Sequence, residues 1–544
     1  MSGISTTDWG QSEQQLFRFK DAVRRSDLIS ELSHPKPYDI AIIGGGIHGA
    51  CIAKLAARQG HKVVLLEWGD YAHATSSRSS KMAHGGLRYL ETLDFQQVLE
   101  GIKAREDLFE NASHLVHPQK FYIPILQRQH FLRFKLALGL QFYDRMTRSD
   151  TNRHYWVSEK DIPRDLFGNK KLLGCYCYTD GLMNDARLVL ENVIAARRDG
   201  ALCLNYVKVK AIKSAHGMTE LRVRDELTQQ EYSLQARIAV NCAGPWAPFL
   251  GEVSPDTPMV KYSRGAHIIF SVPWKYPSLF LPMEGKGRYY FVWPHAAGTM
   301  VGTTERETAE LEEDPLPTRD EIEEILDRLQ KDLPDSGLSR ENAHYCFAGI
   351  RTLPLRKGSS DIARISRKHI WRYAEGMLTL FGGKFTTAEW TAREGMKQIG
   401  KILGKEDKPV SSAIAGTLTA GAQTQLIARL TCEHELSNAA AARLVARFGS
   451  RAEEFLSHDL DPIDFEVAVA LEVEQSETLD DLMRRRLDLE FNKDHGLNEI
   501  DKILPLFSLG KRREDVNRQV ELYRQRMQKI DTLLGKAGSR VTSP

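Results

Sequence analysis

The sequence predicts an α/β protein: a doubly wound nucleotide-type domain assembled from distant pieces of chain, an inserted antiparallel sheet, and an all-α C-terminal domain. Three observations carry this. A strand, a glycine turn and a helix recur at three separated places, a β-rich texture lies between them, and from about residue 408 the apolar pattern is helical. A chain of 544 residues is also too long for one hydrophobic core, so two or three domains are expected. The boundaries read as an N-terminal extension over 1–37, a nucleotide-type domain over 38–407 with substrate-domain segments at roughly 115–175 and 255–345, and a helical domain over 408–544.

In order along the chain, residues 1–37 hold one helix, around Glu13 to Leu32, ended by His34-Pro35-Lys36-Pro37. Asp39 to Ile43 is a short apolar strand, Ala50 to Gln59 a helix ended by Gly60, and Lys62 to Glu67 the next strand, completing a βαβ unit. Arg237 to Cys242 runs into Ala243-Gly244-Pro245-Trp246, and Met377 to Phe381 runs into Gly382-Gly383-Lys384. Thr386 and Glu389 have the spacing of a capping box, which places a helix start at Thr387. Tyr289 to Pro294 and Thr299 to Gly302 form a hairpin across His295-Ala296-Ala297-Gly298. Helices are expected over Ala439 to Phe448, Phe465 to Phe491 and Arg512 to Leu534.

Composition narrows the functional classes. With 42% apolar residues, 27% charged and a net charge of +2, the chain reads as an ordinary soluble globular protein and not a nucleic-acid binder. Seven cysteines, an odd count without C-x-x-C spacing, argue against a disulfide framework and a zinc site, so a reducing cytosol fits. No secretory signal opens the chain, and no stretch approaches the roughly 20 apolar residues of a spanning helix.

Gly44, Gly46 and Gly49 follow the G-x-G-x-x-G pattern of a Rossmann-like fold. The first permits the tight turn, the second lets backbone approach a pyrophosphate, and the third lets helix pack close to strand. The helix N-terminus then offers unpaired N–H groups to the phosphates. Glu67 closes the second strand 18 residues beyond Gly49, where a carboxylate accepts from ribose hydroxyls. The pattern alone does not separate FAD from NAD. The hydroxyl-rich loop Ala74-Thr75-Ser76-Ser77-Arg78-Ser79-Ser80-Lys81 and the following His84-Gly85-Gly86 do more, because Gly85 and Gly86 let backbone approach a planar ring.

At these residues the chain resembles the FAD-dependent glycerol-3-phosphate dehydrogenases of aerobic, respiratory metabolism. The markers are IIGGGIHGA, ATSSRSSKMAHGGLRYL, DARL at Asp185 to Leu188, NCAGPW, RGAHII, VGTT, GIRTLPL and FGGKFTT, spread from Tyr38 to about Phe491. The resemblance implies a Rossmann-like FAD-binding domain of the glycine-oxidase/glutathione-reductase type. It implies oxidation of sn-glycerol 3-phosphate to dihydroxyacetone phosphate by hydride transfer to the flavin N5, with electrons passed to a quinone. A cytoplasmic enzyme peripheral on the inner membrane, as a homodimer, is the corresponding expectation.

Family position then assigns the site. Gly44, Gly46, Gly49, Glu67, Thr75, Ser76, Ser77, Lys81, His84, Gly85 and Gly86 are expected to bind FAD from the first half of the chain. Gly244, Trp246, Gly382, Gly383, Lys384 and Thr386 are expected to do so from the second. A phosphate near charge −2 needs several cations, for which Arg88, Tyr89 beside it, Arg351, Arg367 and Lys384 are the candidates. His267 is the candidate base for the hydroxyl proton, although a strand histidine can equally be satisfied by hydrogen bonds. Arg351 could also stabilise a developing alkoxide. The sequence departs from the family at Ala388-Glu389, where Tyr-Arg is common, at Thr352, where proline is usual, and in the additional residues 1–37.

Two further stretches bear on partners. Gln127 to Arg148 interleaves five basic residues and one acid with Phe, Leu and Tyr, which suits an anionic bilayer surface or an ordinary amphipathic helix. Arg484-Arg485-Arg486 reads as a solvated helix face or a docking surface. The competing functions are a flavin oxidase acting on glycerol 3-phosphate or an amine, and a flavin-binding redox sensor or scaffold.

Overall fold

A computed structural model describes residues 19–33, 36–87, 94–148, 152–163, 166–168, 170–251, 259–283, 288–355, 368–458, 460–509 and 511–536. The trace opens with α1 (Arg25–Ser33), β1 (Tyr38–Ile43), α2 (Ile47–Arg58) and β2 (Val63–Leu66). A short β3 (Met82–Ala83) and α3 (Phe95–Asn111) lead to β4 (Val116–Leu126) and the surface helix α4 (His130–Asp144). After β5 (Tyr155–Ser158), β6 (Leu172–Met183) returns the chain to α5 (Asp185–Arg198) and β7 (Leu202–Leu204). A meander of β8 (Val207–Ala215), β9 (Met218–Asp225) and β10 (Glu231–Asn241) follows. The second excursion holds β11 (Val260–Phe270), β12 (Ser278–Met283), β13 (Arg288–His295), β14 (Gly298–Gly302), β15 (Arg306–Thr308), α6 (Arg319–Asp332) and β16 (Ala343–Pro354). Then come β17 (Ile370–Ala374), β18 (Met377–Phe381) and α7 (Ala388–Leu403). The C-terminal helices are α8 (Ala420–Glu433), α9 (Asn438–Phe448), α10 (Pro462–Glu472), the one-turn α11 (Leu479–Asp481), α12 (Ile500–Phe507) and α13 (Arg513–Leu533).

The first sheet runs β17-β18-β10-β1-β2-β7, with β8 and β9 attached at β10. Its central pairs are parallel, with Ile42 facing Val240 on one side and Leu65 on the other. Parallel strands must be covered on both faces, and the residue alternation shows it. Ile40, Ile42, Val63 and Leu65 pack against α2, α5 and α7, while Ala41, Ile43, Val64 and Leu66 pack against α1 and the meander. Small residues on α2, among them Gly49, Ala50 and Ala53, let it lie close on the sheet. The second sheet, β15-β11-β14-β13-β12-β4-β6-β3 with β5 and β16, is antiparallel except for β4 with β12. It contains the expected hairpin, β13 to β14.

Three expectations are corrected. The first helix starts at Arg25, and Phe19 to Arg24 form a turn and an extended lead-in; Glu13 to Arg18 lie outside the described residues. Thr386 and Glu389 form no capping box: α7 starts after Thr387, and the Thr386 hydroxyl instead accepts from the His84 backbone N–H at 3.2 Å. Phe465 to Phe491 is not one helix. It breaks after α10 at Gln475 (φ 52°), continues from α11 into a π-helical turn over Leu482–Arg486, and breaks again at Asp488 (φ 57°). The helical region also packs into the rest of the molecule. Leu479, Met483, Tyr523 and Ile530 share a core with Phe270, Trp293 and Tyr345 of the second sheet, and Phe448 and Phe465 share one with Ile194 and Ala195 of α5.

Candidate active site

Three glycine turns leave the carboxyl ends of β1, β10 and β18, which the parallel register holds side by side. In doubly wound sheets ligands bind at this edge. Here it opens into an elongated cavity of about 580 Å³ that continues onto the second sheet. Gly44 takes φ +108°, and a Cβ there would lie 2.6 Å from the Cys242 carbonyl oxygen. Gly46 forms the N-cap of α2 without a side-chain cap, and Ser76 Oγ accepts from the Ile47 N–H at 3.0 Å. This leaves a backbone cradle at a helix N-terminus, the geometry that holds phosphates.

At one end of the cavity stand Glu67, Trp68, His73, Lys208 and Trp246. The Glu67 carboxylate accepts from the Gly45 N–H at 2.6 Å and the Gly69 N–H at 2.9 Å, so it braces the glycine turn. A carboxylate has about four acceptor positions, which leaves capacity for a ribose hydroxyl. Trp68 meets Trp246 edge to face at 5.4 Å, and the Lys208 ammonium lies 4.8 Å from the Trp68 ring centre.

The opposite end is lined by Tyr178, Asp180, Phe280, Phe291, Thr303, Arg351 and Lys384. Strand pairing sets Arg351 opposite Ser263, and the missing side chain of Gly265 makes room for its guanidinium: a Cβ there would meet Nη2 at 2.5 Å. Arg351 Nη2 donates to Thr303 Oγ1 at 2.9 Å. Lys384 Nζ donates to Gln97 Oε1 at 2.5 Å. Asp180, 2% exposed, accepts from the Gly85 N–H at 2.9 Å, the Tyr143 hydroxyl at 2.6 Å and Arg105 at 3.0 Å.

The sequence-predicted residues divide into two groups. Gly44, Gly46, Glu67, Thr75, Ser76, His84, Gly86, Gly244, Trp246, Arg351, Gly382, Gly383, Lys384 and Thr386 line this one cavity. Gly49, Ser77, Lys81, Gly85 and His267 do not. Lys81 is drawn away by Asp185, at 2.6 Å. Gly85 is small for packing reasons: a Cβ would fall 2.1 Å from the Tyr143 hydroxyl. His267, 1% exposed, stacks on Phe347 at 4.8 Å behind the wall. Between it and the cavity stands Ser80, whose Oγ lies 2.9 Å from His267 Nε2. Arg88, Tyr89 and Arg367 lie outside the described residues. Ser80, Thr303 and Asp180 were not singled out from sequence. The first two sit inside the quoted ATSSRSSKM and VGTT runs, but which hydroxyl faces inward depends on pairing across the sheet.

Buried imidazoles make the fold sensitive to acid, His114 and His267 among them. Burial pushes His114 down to about 3, helped by the Arg187 and Arg451 charges. Burial, then Arg351 and Lys81, hold His267 well below 6.5. Both folded values are depressed, so below about 6.5 the unfolded chain takes up protons that the folded protein refuses. Stability is present above that pH and is lost as pH falls through it. For His114 the loss should be about 2 kcal/mol between pH 7 and pH 5. Denaturant unfolding at the two pH values should differ accordingly in His114→Gln against the parent, and an identical pH dependence would contradict the assignment.

With this geometry in place, comparison with known proteins is informative. A family model described as FAD dependent oxidoreductase matches residues 39–393. Aerobic glycerol-3-phosphate dehydrogenases of Staphylococcus aureus, for example from strains USA300 and COL, are 29% identical over 505 residues, covering 87% of this chain and 90% of theirs. The structure of the glycerol-3-phosphate dehydrogenase from Bacillus halodurans complexed with FAD superposes with a TM-score of 0.76 at 24% identity, over 96% of this chain and 99% of that one. The L-α-glycerophosphate oxidase of Mycoplasma pneumoniae, with FAD bound, gives 0.55 at 18% identity, over 69% and 97%. These structural likenesses establish a shared fold, including, in the first, the helical C-terminal region.

Proposed function

The chain belongs to the FAD-dependent oxidoreductase family, and from that premise we propose that it oxidises sn-glycerol 3-phosphate to dihydroxyacetone phosphate. The observation that carries this is that the cations Arg351 and Lys384 line the same cavity as the dinucleotide cradle of Gly44, Gly46 and Ser76. The likeness to the Staphylococcus aureus enzymes along 87% of the chain supports it.

The cradle fits FAD: Gly44, Gly46 and Ser76 would face the pyrophosphate, Glu67 and Trp246 the adenosine side, and Gly382, Gly383 and Thr386 the ring side. When bound, FAD supplies the acceptor for the hydride that leaves C2 of the alcohol. The chain's own residues do the rest. Arg351 offers a planar fork to a phosphate or to an oxygen gaining negative charge, and Lys384 adds a point charge. Ser80 stands at the wall with its Oγ 2.9 Å from His267 Nε2, which accepts from the Ser80 hydroxyl and so turns an oxygen lone pair toward the substrate. Burial and the Arg351 and Lys81 charges oppose a cationic imidazole, so His267 orients Ser80 and does not hold the proton. Turnover with glycerol 3-phosphate and an artificial electron acceptor, with dihydroxyacetone phosphate as product, is the test. No turnover in FAD-loaded protein would refute the reading. Peroxide yield under air, with and without added quinone, then separates oxidase from quinone-linked dehydrogenase.

We further propose that quinone is reached at an anionic membrane surface through α4. No helix among the described residues is long and apolar enough to cross a membrane. Yet α4 leaves Phe131 80%, Phe134 63% and Leu138 54% exposed, one apolar stripe at helical spacing, with Arg128, Arg133 and Lys135 around it. Burying two phenylalanines in the interface contributes about 3 kcal/mol or more. Phe131→Ser with Phe134→Ser should therefore weaken partition onto phosphatidylserine-containing vesicles roughly a hundredfold. A parent protein that ignores such vesicles at low salt would rule the stripe out.

A further inference from the structure

The run Arg484-Arg485-Arg486 is not a solvated face: all three side chains are buried on the π-helical turn that follows α11. Arg484 reaches one part of the molecule, and Arg485 and Arg486 converge on another. Arg484 pairs with Glu490 at 2.8 Å within the C-terminal region and with Asp314 at 3.1 Å in the loop between β15 and α6. Arg485 Nε donates to Asp70 Oδ2 at 2.6 Å. Arg486 clasps the same carboxylate from both sides, Nη1 to Oδ2 and Nη2 to Oδ1, each at 2.8 Å. Such a fork on a buried carboxylate is a strong, geometrically specific contact.

Asp70 is far from these arginines in sequence but close to the cofactor. It lies in the loop after β2, between Glu67 and Trp68 on one side and Ala72 and His73 on the other, all four on the cavity wall. That loop is tied to the glycine turn twice: Glu67 accepts from the Gly45 N–H, and the Ala72 N–H donates to the Gly45 carbonyl at 3.2 Å. The turn after β7 bridges the two regions. The Tyr206 N–H donates to the Gly69 carbonyl at 2.9 Å and its hydroxyl to Asp481 at 2.8 Å, while Asn205 Nδ2 donates to the Gln475 carbonyl at 2.8 Å. No residue from 474 to 486 lines the cavity.

We propose that the C-terminal helical region is a working part of the cofactor site: Arg485 and Arg486 act as positioning residues that hold Asp70, and with it the Glu67–His73 loop, in the geometry FAD requires. Loop and π-turn then order together, and FAD binding stabilises a segment it never touches. Reciprocity of linkage makes the converse equally required, so loosening the π-turn weakens FAD.

Hydrogen–deuterium exchange on the full-length protein, with and without FAD, reads this directly. With FAD at a hundred times its Kd, linkage allows up to about a hundredfold slowing of exchange in any segment whose opening excludes the cofactor. The amides of residues 478–487 should slow at least tenfold more than those of α8, which serves as the internal reference. No excess over α8, whether neither segment changes or both change alike, overturns the proposal. A second arm uses Asp70→Asn, which keeps the shape and removes the charge. It should raise the Kd for FAD about tenfold or more and abolish the FAD-dependent protection of 478–487, whereas Arg485→Lys, which keeps a cation, should retain that protection. A folded Asp70→Asn protein with parental FAD affinity also overturns it. If that variant fails to fold, the exchange measurement on the parent decides alone.

Discussion

Protein carrying Gly49→Ala is expected to purify without FAD. A Cβ at this position would lie 1.9 Å from the Gly44 carbonyl oxygen and 3.1 Å from its carbonyl carbon. Both are backbone atoms, so no side chain can turn aside. Gly44 cannot retreat either, because its own Cα side is packed on the Cys242 carbonyl and its N–H is bonded to the Leu66 carbonyl at 2.8 Å. Relief requires α2 to move off β1, which dismantles the cradle formed by Gly44, Gly46 and the start of α2. Overpacking a close-packed site of this kind costs about 3 kcal/mol or more, and the whole cost falls on the dinucleotide geometry. Flavin absorbance per polypeptide measures the outcome. Gly421→Ala, at an exposed position with nothing near its Cβ, is the control and should keep full FAD content. Stoichiometric flavin in Gly49→Ala would mean that the cofactor does not depend on this turn.

Arg351→Ala should lower kcat/KM for glycerol 3-phosphate about a thousandfold while leaving FAD bound. Removing one partner of a buried, hydrogen-bonded charge pair costs about 2–5 kcal/mol. The guanidinium is seated over Gly265 and oriented by Thr303, so its geometry is set before substrate arrives. Arg351→Lys should recover only part of the loss, because an ammonium lacks the planar fork. Lys384→Ala should raise KM more than it lowers kcat, its charge being shared with Gln97. Steady-state kinetics on FAD-saturated variants checks all three. A change below about threefold in Arg351→Ala would remove this residue from the substrate site.

What sequence could convey depended on whether the constraint is local. Glycine turns are legible because only glycine tolerates the backbone they impose, as at Gly44 with φ +108° or Gly383 with φ +120°. The hairpin of β13 and β14 and the strand Met377–Phe381 were legible from periodicity and turn residues. Where a distant partner decides, the reading went astray. Arg485 and Arg486 read as solvated because their partner Asp70 lies 415 residues or more away. The break at Gln475 falls on a residue that gives no warning of positive φ. Thr386 was offered two hydrogen bonds, to its own helix and to His84, and the tertiary one prevailed. The sequence offers His267 as a base, yet only the folded chain, which brings the 74–81 loop against β11, reveals that Ser80 stands in front of it.

The central claim is that one cavity holds FAD beside a site for a small phosphorylated alcohol. Anaerobic mixing of the FAD-loaded protein with sn-glycerol 3-phosphate, followed through the visible flavin band, tests it without any external acceptor. Rapid and complete bleaching by glycerol 3-phosphate, with little or none by glycerol or by amino acids, is the expected result. Bleaching by an amino acid with no response to glycerol 3-phosphate would contradict the account and place the chain with the amine-oxidising members of its fold.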